Sequence, residues 1–316
     1  MRRNVSLKKV IGIFVLSGMV FLLGACTAAT KEPGESTAES RTDAENSETQ
    51  TDDATEEAFA GSTATANEEP GIEDETAAVE EISLEEEAVE ETQKLESLDG
   101  LDAGTILNPD QLELSDPGRY FTGMEIIEGD SVYERINGKS YQENPYISLD
   151  SLRYLKMLHY NFEGNIQVGE MIVNESIEDD ILSIFQTLFE EKYEIQSMYL
   201  VDRYWTGNAD DSDTASVDAN NTSAFCYREI TGGGNLSNHA YGLAVDINPQ
   251  QNPYVSYSTG VPVWWHSNAN DYIDREAGLE HMITHDDLAY QLFTEYGFEW
   301  GGDWNNPKDY QHFDKN

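Results

Sequence analysis

The run Leu243-Ala244-Val245-Asp246-Ile247-Asn248 alternates apolar with small or polar residues, and that period of two belongs to a strand with one face on a core. Asp246 then looks toward a site, and Val245 and Ile247 toward the interior. His239 stands seven residues earlier, a separation of roughly 23 Å if the chain ran straight. Ligands of one metal ion lie only a few ångströms apart, so joint use of His239 and Asp246 requires a bend between them. Gly242 is the residue best able to supply it, because without a Cβ it tolerates positive φ. His312, in Asp309-Tyr310-Gln311-His312 near the C-terminus, would complete a set of two imidazoles and one carboxylate. Those are the three protein ligands of a catalytic zinc, one ion, whose fourth position stays open to water. Calcium or magnesium would ask for more oxygen donors.

The pattern S-x-H-x-x-G-x-A-x-D over Ser237–Asp246, followed far downstream by D-x-x-H-F over Asp309–Phe313, resembles the family of zinc-dependent D-alanyl-D-alanine carboxypeptidases and L-alanyl-D-glutamate peptidases of the cell wall. That family shares its fold with Hedgehog signalling domains. Five fixed positions within ten residues make the first motif specific, and the second adds weight by its order. The stretches Asn220–Phe225 and Trp300–Trp304 also look like the family's flanking sequences. The resemblance runs from about residue 117 to the end and is most specific after residue 220. It implies an α+β fold: a single Hedgehog/DD-peptidase-like catalytic domain with a small antiparallel sheet and packed helices.

Ahead of that domain the chain changes character. Arg2, Arg3, Lys8 and Lys9 precede an apolar run from Val10 to Leu23, the charged and apolar parts of a secretory signal. Leu23-Gly24-Ala25-Cys26 resembles a bacterial lipobox, with residues 1–25 removed and Cys26 lipidated; cleavage after Ala25 or Ala29 as an ordinary signal is the alternative. Acyl chains on Cys26 would hold the protein on a bilayer, at about 0.8 kcal/mol per buried methylene. Residues 26–98 follow as an acidic linker with one aromatic, Phe59, and a net charge of −20 over residues 31–98. Such a segment cannot bury enough apolar surface to offset ordering, so it is expected as a disordered tether extended by its own charge. Residues 78–98 are at most a candidate helix, and calcium binding by the acidic run is a minor alternative. A whole-chain charge of −43 excludes nucleic acid as a partner, because phosphate contacts need clustered Lys and Arg.

After a transition segment, residues 99–116, the domain is expected over residues 117–316. Leu152, Leu155 and Leu158 suggest a helix over Leu149–His159, and Gly169–Asn174 reads as extended. Ile181, Ile184, Phe185, Leu188 and Phe189 form the stripe of a helix over Ile177–Tyr193. Met198–Val201 and Phe225–Arg228 read as strands and Asn208–Asn221 as a polar loop. The Gly232-Gly233-Gly234 turn leads to the metal motif. Asp286–Tyr296 is expected as a helix stopped by Gly297, with strands at Phe298–Trp300 and Tyr310–Phe313.

By the resemblance, Asp309 occupies the acidic position three residues before the second histidine and is the favoured general base, with Asp303 its rival. On a flat strand, positions three apart face opposite sides, so Asp309 can serve beside His312 only if the backbone turns between them. The resemblance also casts Arg228 as the group that holds a substrate carboxylate or the oxyanion, against a structural salt bridge. Ser237 is a candidate to orient a ligand. Tyr241, Trp300 and Trp304 could line a substrate groove or fill a core. His159, His266, His281 and His285 have no partner at ligand spacing and are expected on the surface or in loops. Cys226 is expected as a buried, unpaired thiol.

These readings together imply a metallopeptidase, a hydrolase of peptidoglycan stem peptides. It would be lipid-anchored outside the cytoplasm and monomeric, and would release terminal D-alanine as a carboxypeptidase. Alternatives are an L-alanyl-D-glutamate endopeptidase of the same fold, a non-catalytic cell-wall-binding lipoprotein, and a solute-binding lipoprotein.

Overall fold

A computed structural model describes residues 93–230 and 233–315. The signal segment, Cys26, the acidic tether and all but the last few residues of 78–98 lie outside the described residues. Among the described residues no helix is long and apolar enough to cross a membrane.

The first sheet is antiparallel, in the order β1-β4-β3-β2: β1 Ile106–Leu107, β2 Thr122–Glu125, β3 Leu152–Tyr160 and β4 Ile166–Asn174. β3 and β4 pair along their whole length, from Leu152 opposite Asn174 to Tyr160 opposite Ile166. Asn161 closes the turn between them, its Oδ1 accepting from the backbone N–H groups of Glu163 and Asn165. β3 replaces the helix expected at Leu149–His159; only Leu149–Ser151 coil, as a short 3-10 turn. The apolar spacing misleads because both faces of this strand are covered: Leu155 and Met157 join the main core while Leu152 and Tyr154 join a second cluster with Ile172 and Phe225. A strand buried on two sides loses its period of two.

Residues 99–116 are part of the folded unit rather than a passage into it, since Leu107 and Leu112 are buried in the core and β1 extends the sheet. A short helix, α1, spans Ser131–Ile136. α2, Glu178–Glu190, lays its expected stripe onto the sheet, with Ile181, Ile184, Phe185, Leu188 and Phe189 all buried. Each such side chain contributes about 1.5–3 kcal/mol of transfer free energy. Asn208–Asn221 is not a loop: α3, Ala209–Asp218, starts on Asn208, whose side chain accepts from Asp211 N–H. The segment Met198–Val201 makes one isolated bridge, Met198 to Thr222, and then a 3-10 turn, so it is not a ladder strand.

The C-terminal half carries β5 Ala244–Asp246, β6 Tyr254–Val255, α4 Leu288–Glu295, β7 Glu299–Trp300, β8 Lys308–Asp309 and β9 His312–Asp314. A three-stranded antiparallel sheet runs β5-β9-β7, and β6 pairs with β8. α4 is capped by Asp287, whose side chain accepts from Ala289 N–H, and ends at Gly297 with φ +86°. Phe293 of α4 stacks on Phe313 of β9 at 4.4 Å and meets Phe185 of α2 edge-on at 6.3 Å, which joins the two halves in one core. The architecture is thus α+β with small antiparallel sheets.

Candidate metal centre

Ser237 opens the segment that presents His239: its Oγ accepts from His239 N–H at 3.3 Å and caps a 3-10 turn over Asn238–Tyr241. Gly242 ends the turn with φ +68° and feeds β5. A Cβ at Gly242 would lie 2.7 Å from Asn174 N and 3.0 Å from Val173 C, so the bend is pressed against the end of β4 and only glycine fits. β5 then sets Val245 and Ile247 in the core and Asp246 on the opposite face, directly across from His312 in β9.

The three side chains converge. Asp246 Oδ1 is 3.0 Å from His312 Nδ1 and 3.3 Å from His239 Nε2, and the two nitrogens are 3.2 Å apart. A tetrahedral ion with bonds of about 2.0–2.1 Å separates its ligand atoms by about 3.3 Å. The triangle therefore has the size that zinc requires, and its donor set of two imidazole nitrogens and one carboxylate oxygen suits that ion. All three residues are buried, yet they form the floor of a cleft of about 770 Å³.

Neighbouring groups hold each ligand. His239 Nδ1 is 2.6 Å from the Ala224 carbonyl, which can only accept, so Nε2 is left as the lone-pair donor. Asp246 Oδ2 accepts from Gln311 Nε2 at 3.0 Å. His312 Nε2 faces Asp314 Oδ2 at 3.9 Å. Burial opposes charge on His312, but the hydrogen bond to Asp246 and the nearby carboxylate of Asp314 outweigh it and raise its pKa to about 10 in the metal-free protein. Metal binding at Nδ1 must displace that proton.

Asp309 reaches the same cleft. The expected strand over Tyr310–Phe313 is instead a turn at Tyr310-Gln311 followed by β9, and this turn is the backbone bend that puts positions 309 and 312 on one site. Gly301 makes room for both, since a Cβ there would lie 2.9 Å from Asp309 Cβ and 3.2 Å from His312 Cβ. Asp309 Oδ1 is buried and without a hydrogen-bond partner. Burial, and then the negative charge of Asp246, push its pKa up to about 7. Asp303, the rival, is exposed outside the cleft and pairs with His285 Nε2 at 2.7 Å.

Arg228 lines the cleft, with Nη2 2.8 Å from Asp213 Oδ2 on α3 and Nη1 donating to the Glu229 carbonyl at 3.1 Å. Trp304 also lines it, its ring 5.3 Å from that of His312. Tyr241 lies outside the cleft lining, and its carbonyl accepts from Asn174 Nδ2. Trp300 is a core residue whose Nε1 donates to Tyr310 O. His159, expected on the surface or in a loop, is instead 2% exposed on the inner strand β3 with Nδ1 on the Ile195 carbonyl. Cys226 is buried and unpaired.

Sequence reasoning missed Gln311, Asp314, Asn238, Asp213 and the Ala224 carbonyl. Asp314 had a signal, because a residue two beyond His312 on a strand shares its face. A backbone carbonyl has none. No curated protein and no solved structure matches this chain. Through residues 231–315, which hold all three candidate ligands and Asp309, the chain matches the family of peptidases described as D-alanyl-D-alanine carboxypeptidase.

Proposed function

We propose that this chain is a zinc-dependent carboxypeptidase that removes terminal D-alanine from peptidoglycan stem peptides, working as a monomer outside the cytoplasm on a lipid anchor at Cys26. The observation that carries the reading is the triangle of Asp246 Oδ1, His239 Nε2 and His312 Nδ1, with edges of 3.0–3.3 Å, open to a cleft that also holds Asp309. The family match supports the peptidase class, and the anchor rests on the lipobox-like Leu23–Cys26 sequence alone.

His239, Asp246 and His312 would hold the zinc, which when bound would supply Lewis acidity toward the scissile carbonyl and the attacking water. The protein's own groups do the rest. Asp309 as a carboxylate takes the proton of the attacking water and returns it to the leaving amine, a role open to it because it lines the cleft and its Oδ1 has no protein hydrogen-bond partner. Arg228, fixed by Asp213, presents a guanidinium to the cleft that suits the substrate's terminal carboxylate. Ser237, the Ala224 carbonyl and Gln311 keep the ligands in place before any ion arrives.

The test is metal analysis of the purified protein with mass spectrometry of muropeptide digests. One zinc per chain and release of free alanine, abolished by a chelator, are expected. Asp309→Asn should keep the zinc and lose on the order of 10²–10⁴-fold in kcat. Activity that survives chelation, or full turnover in that variant, would reject the mechanism. Products that begin at D-glutamate, with no free alanine, would move the scissile bond to the L-alanyl-D-glutamate position. Zinc bound without any hydrolysis would leave a cell-wall-binding protein.

A further inference from the structure

The two histidines of the triangle face it through different nitrogens, and the difference sets a requirement on their surroundings. An imidazole binds a metal through one lone pair, so its other nitrogen must carry the proton. For His239 the Ala224 carbonyl takes that proton at Nδ1. For His312 the donor to the triangle is Nδ1, so the proton must sit on Nε2 and the ring must be turned with that N–H away from the triangle. The group beside Nε2 is Asp314, with Oδ2 at 3.9 Å.

Asp314 has features that its own stability does not explain. It is 5% exposed, and among the described residues its sole ionic partner is His312. Its Oδ1 is buried without a hydrogen-bond partner, while Oδ2 accepts a hydrogen bond from Asn238 Nδ2. A buried carboxylate with an unpaired oxygen is costly unless it serves a neighbour. The connectivity indicates which neighbour. Asp314 and His312 share one face of β9, and Asn238 is the residue before His239 in the 3-10 turn. The Asn238–Asp314 bond thus ties the turn that carries one ligand to the strand that carries another.

Resting on the zinc reading above, we infer that Asp314, held by Asn238, is a positioning residue that keeps His312 protonated at Nε2 and turned with Nδ1 toward the metal. The carboxylate also makes the imidazole a better donor. Partners of this kind are worth on the order of 10–100-fold in metal affinity.

The experiment measures zinc affinity of the full chain by competition with a chromophoric chelator, and the visible spectrum of the cobalt-substituted protein. Asp314→Asn is expected to weaken zinc binding on the order of 10–100-fold and to alter the cobalt bands. Asn238→Ala, which leaves the carboxylate but frees it, should give a smaller loss in the same direction. A purely structural role would lower the thermal midpoint of the metal-free protein and leave the affinity and cobalt spectrum of the folded protein unchanged. Folded Asp314→Asn with parental zinc affinity overturns the inference. If that variant does not fold, unchanged affinity in Asn238→Ala overturns it. A parent protein that binds zinc but hydrolyses no muropeptide refutes the proposed function while the affinity loss still supports this role; a parent that binds no zinc overturns both.

Discussion

Substitution of Gly242 by alanine tests the link between fold and site most directly. The residue has φ +68°, and an added Cβ would meet Asn174 N at 2.7 Å, Val173 C at 3.0 Å and Leu152 Cδ2 at 3.2 Å. Two of these are backbone atoms of β4, which is locked into the sheet and cannot retreat as a side-chain tip could. The crowded amide also donates to the Gly242 carbonyl at 2.8 Å, so any shift strains that bond. Left-handed φ for alanine costs about 1–2 kcal/mol, loss of the hydrogen bond about 1 kcal/mol, and the stiffer unfolded chain returns about 0.4–1 kcal/mol. Adding displacement of the turn, the expected destabilisation is about 2–4 kcal/mol. Gly278 supplies the control: its φ is +59° with nothing within 4 Å of the added Cβ, so alanine there should cost about 1 kcal/mol. Urea unfolding of both metal-free variants isolates the clash, and zinc titration then shows whether His239 has been displaced. If Gly242→Ala costs no more than Gly278→Ala, the argument that close packing against β4 aims the ligand-bearing turn is wrong.

Other consequences are open to measurement. Burial lowers the pKa of His159 to about 4 against 6.5 for a free side chain, so only the unfolded chain takes up its proton between those values. Its stability contribution is therefore complete above pH 6.5 and lost as pH falls toward 4, by at most about 3 kcal/mol; His159→Gln should flatten that part of the urea midpoint against pH. Arg275 donates to the carbonyls of Gln251 and Ile283 and to Asn252 Oδ1, and its guanidinium lies 4.3 Å over the Tyr310 ring. Arg275→Met strands buried acceptors and should cost about 2–4 kcal/mol by denaturant unfolding; a loss under about 0.5 kcal/mol would show that water replaces the guanidinium. Burial pushes the Cys226 thiol well above its ordinary pKa, so a thiol reagent should modify it only as fast as the protein unfolds. Labelling of Cys226 in the native protein faster than unfolding would contradict that burial.

The parts of the fold that were legible in the sequence are those whose burial is one-sided. α2 and α4 show their stripes because one face meets the core, and β5 alternates because Asp246 faces a cleft while Val245 and Ile247 do not. β3 is covered on both sides and spells its positions with leucine, a good helix former, so propensity and pattern both mislead. α3 fails in the opposite way. Of its residues only Ser212 and Ser216 are buried, so it offers no apolar stripe and owes its helix to the Asn208 cap and to docking on the turn at Val201–Tyr204. Phe225–Arg228 is extended without being a strand: Phe225, Cys226 and Tyr227 donate in turn to Ile172, His239 and Ser140, three partners from three places. No local pattern encodes such a segment, although it delivers Arg228 and the Ala224 carbonyl to the site.

The candidate ligands stood out because few residue types bind metal, but their spacing in three dimensions comes from a register. Asp246 and His312 face each other only because β5 and β9 pair Ala244 with Asp314 and Val245 with Phe313. A slip of one residue would turn His312 into the core and Phe313 toward the cleft. Phe313, fully buried between Phe293 and Trp300, opposes that slip with its whole burial energy, about 1.5–3 kcal/mol. The aromatic core behind β9 therefore helps set the geometry of the candidate metal centre: it holds the strand in the one alignment that keeps the donor triangle near 3 Å on a side.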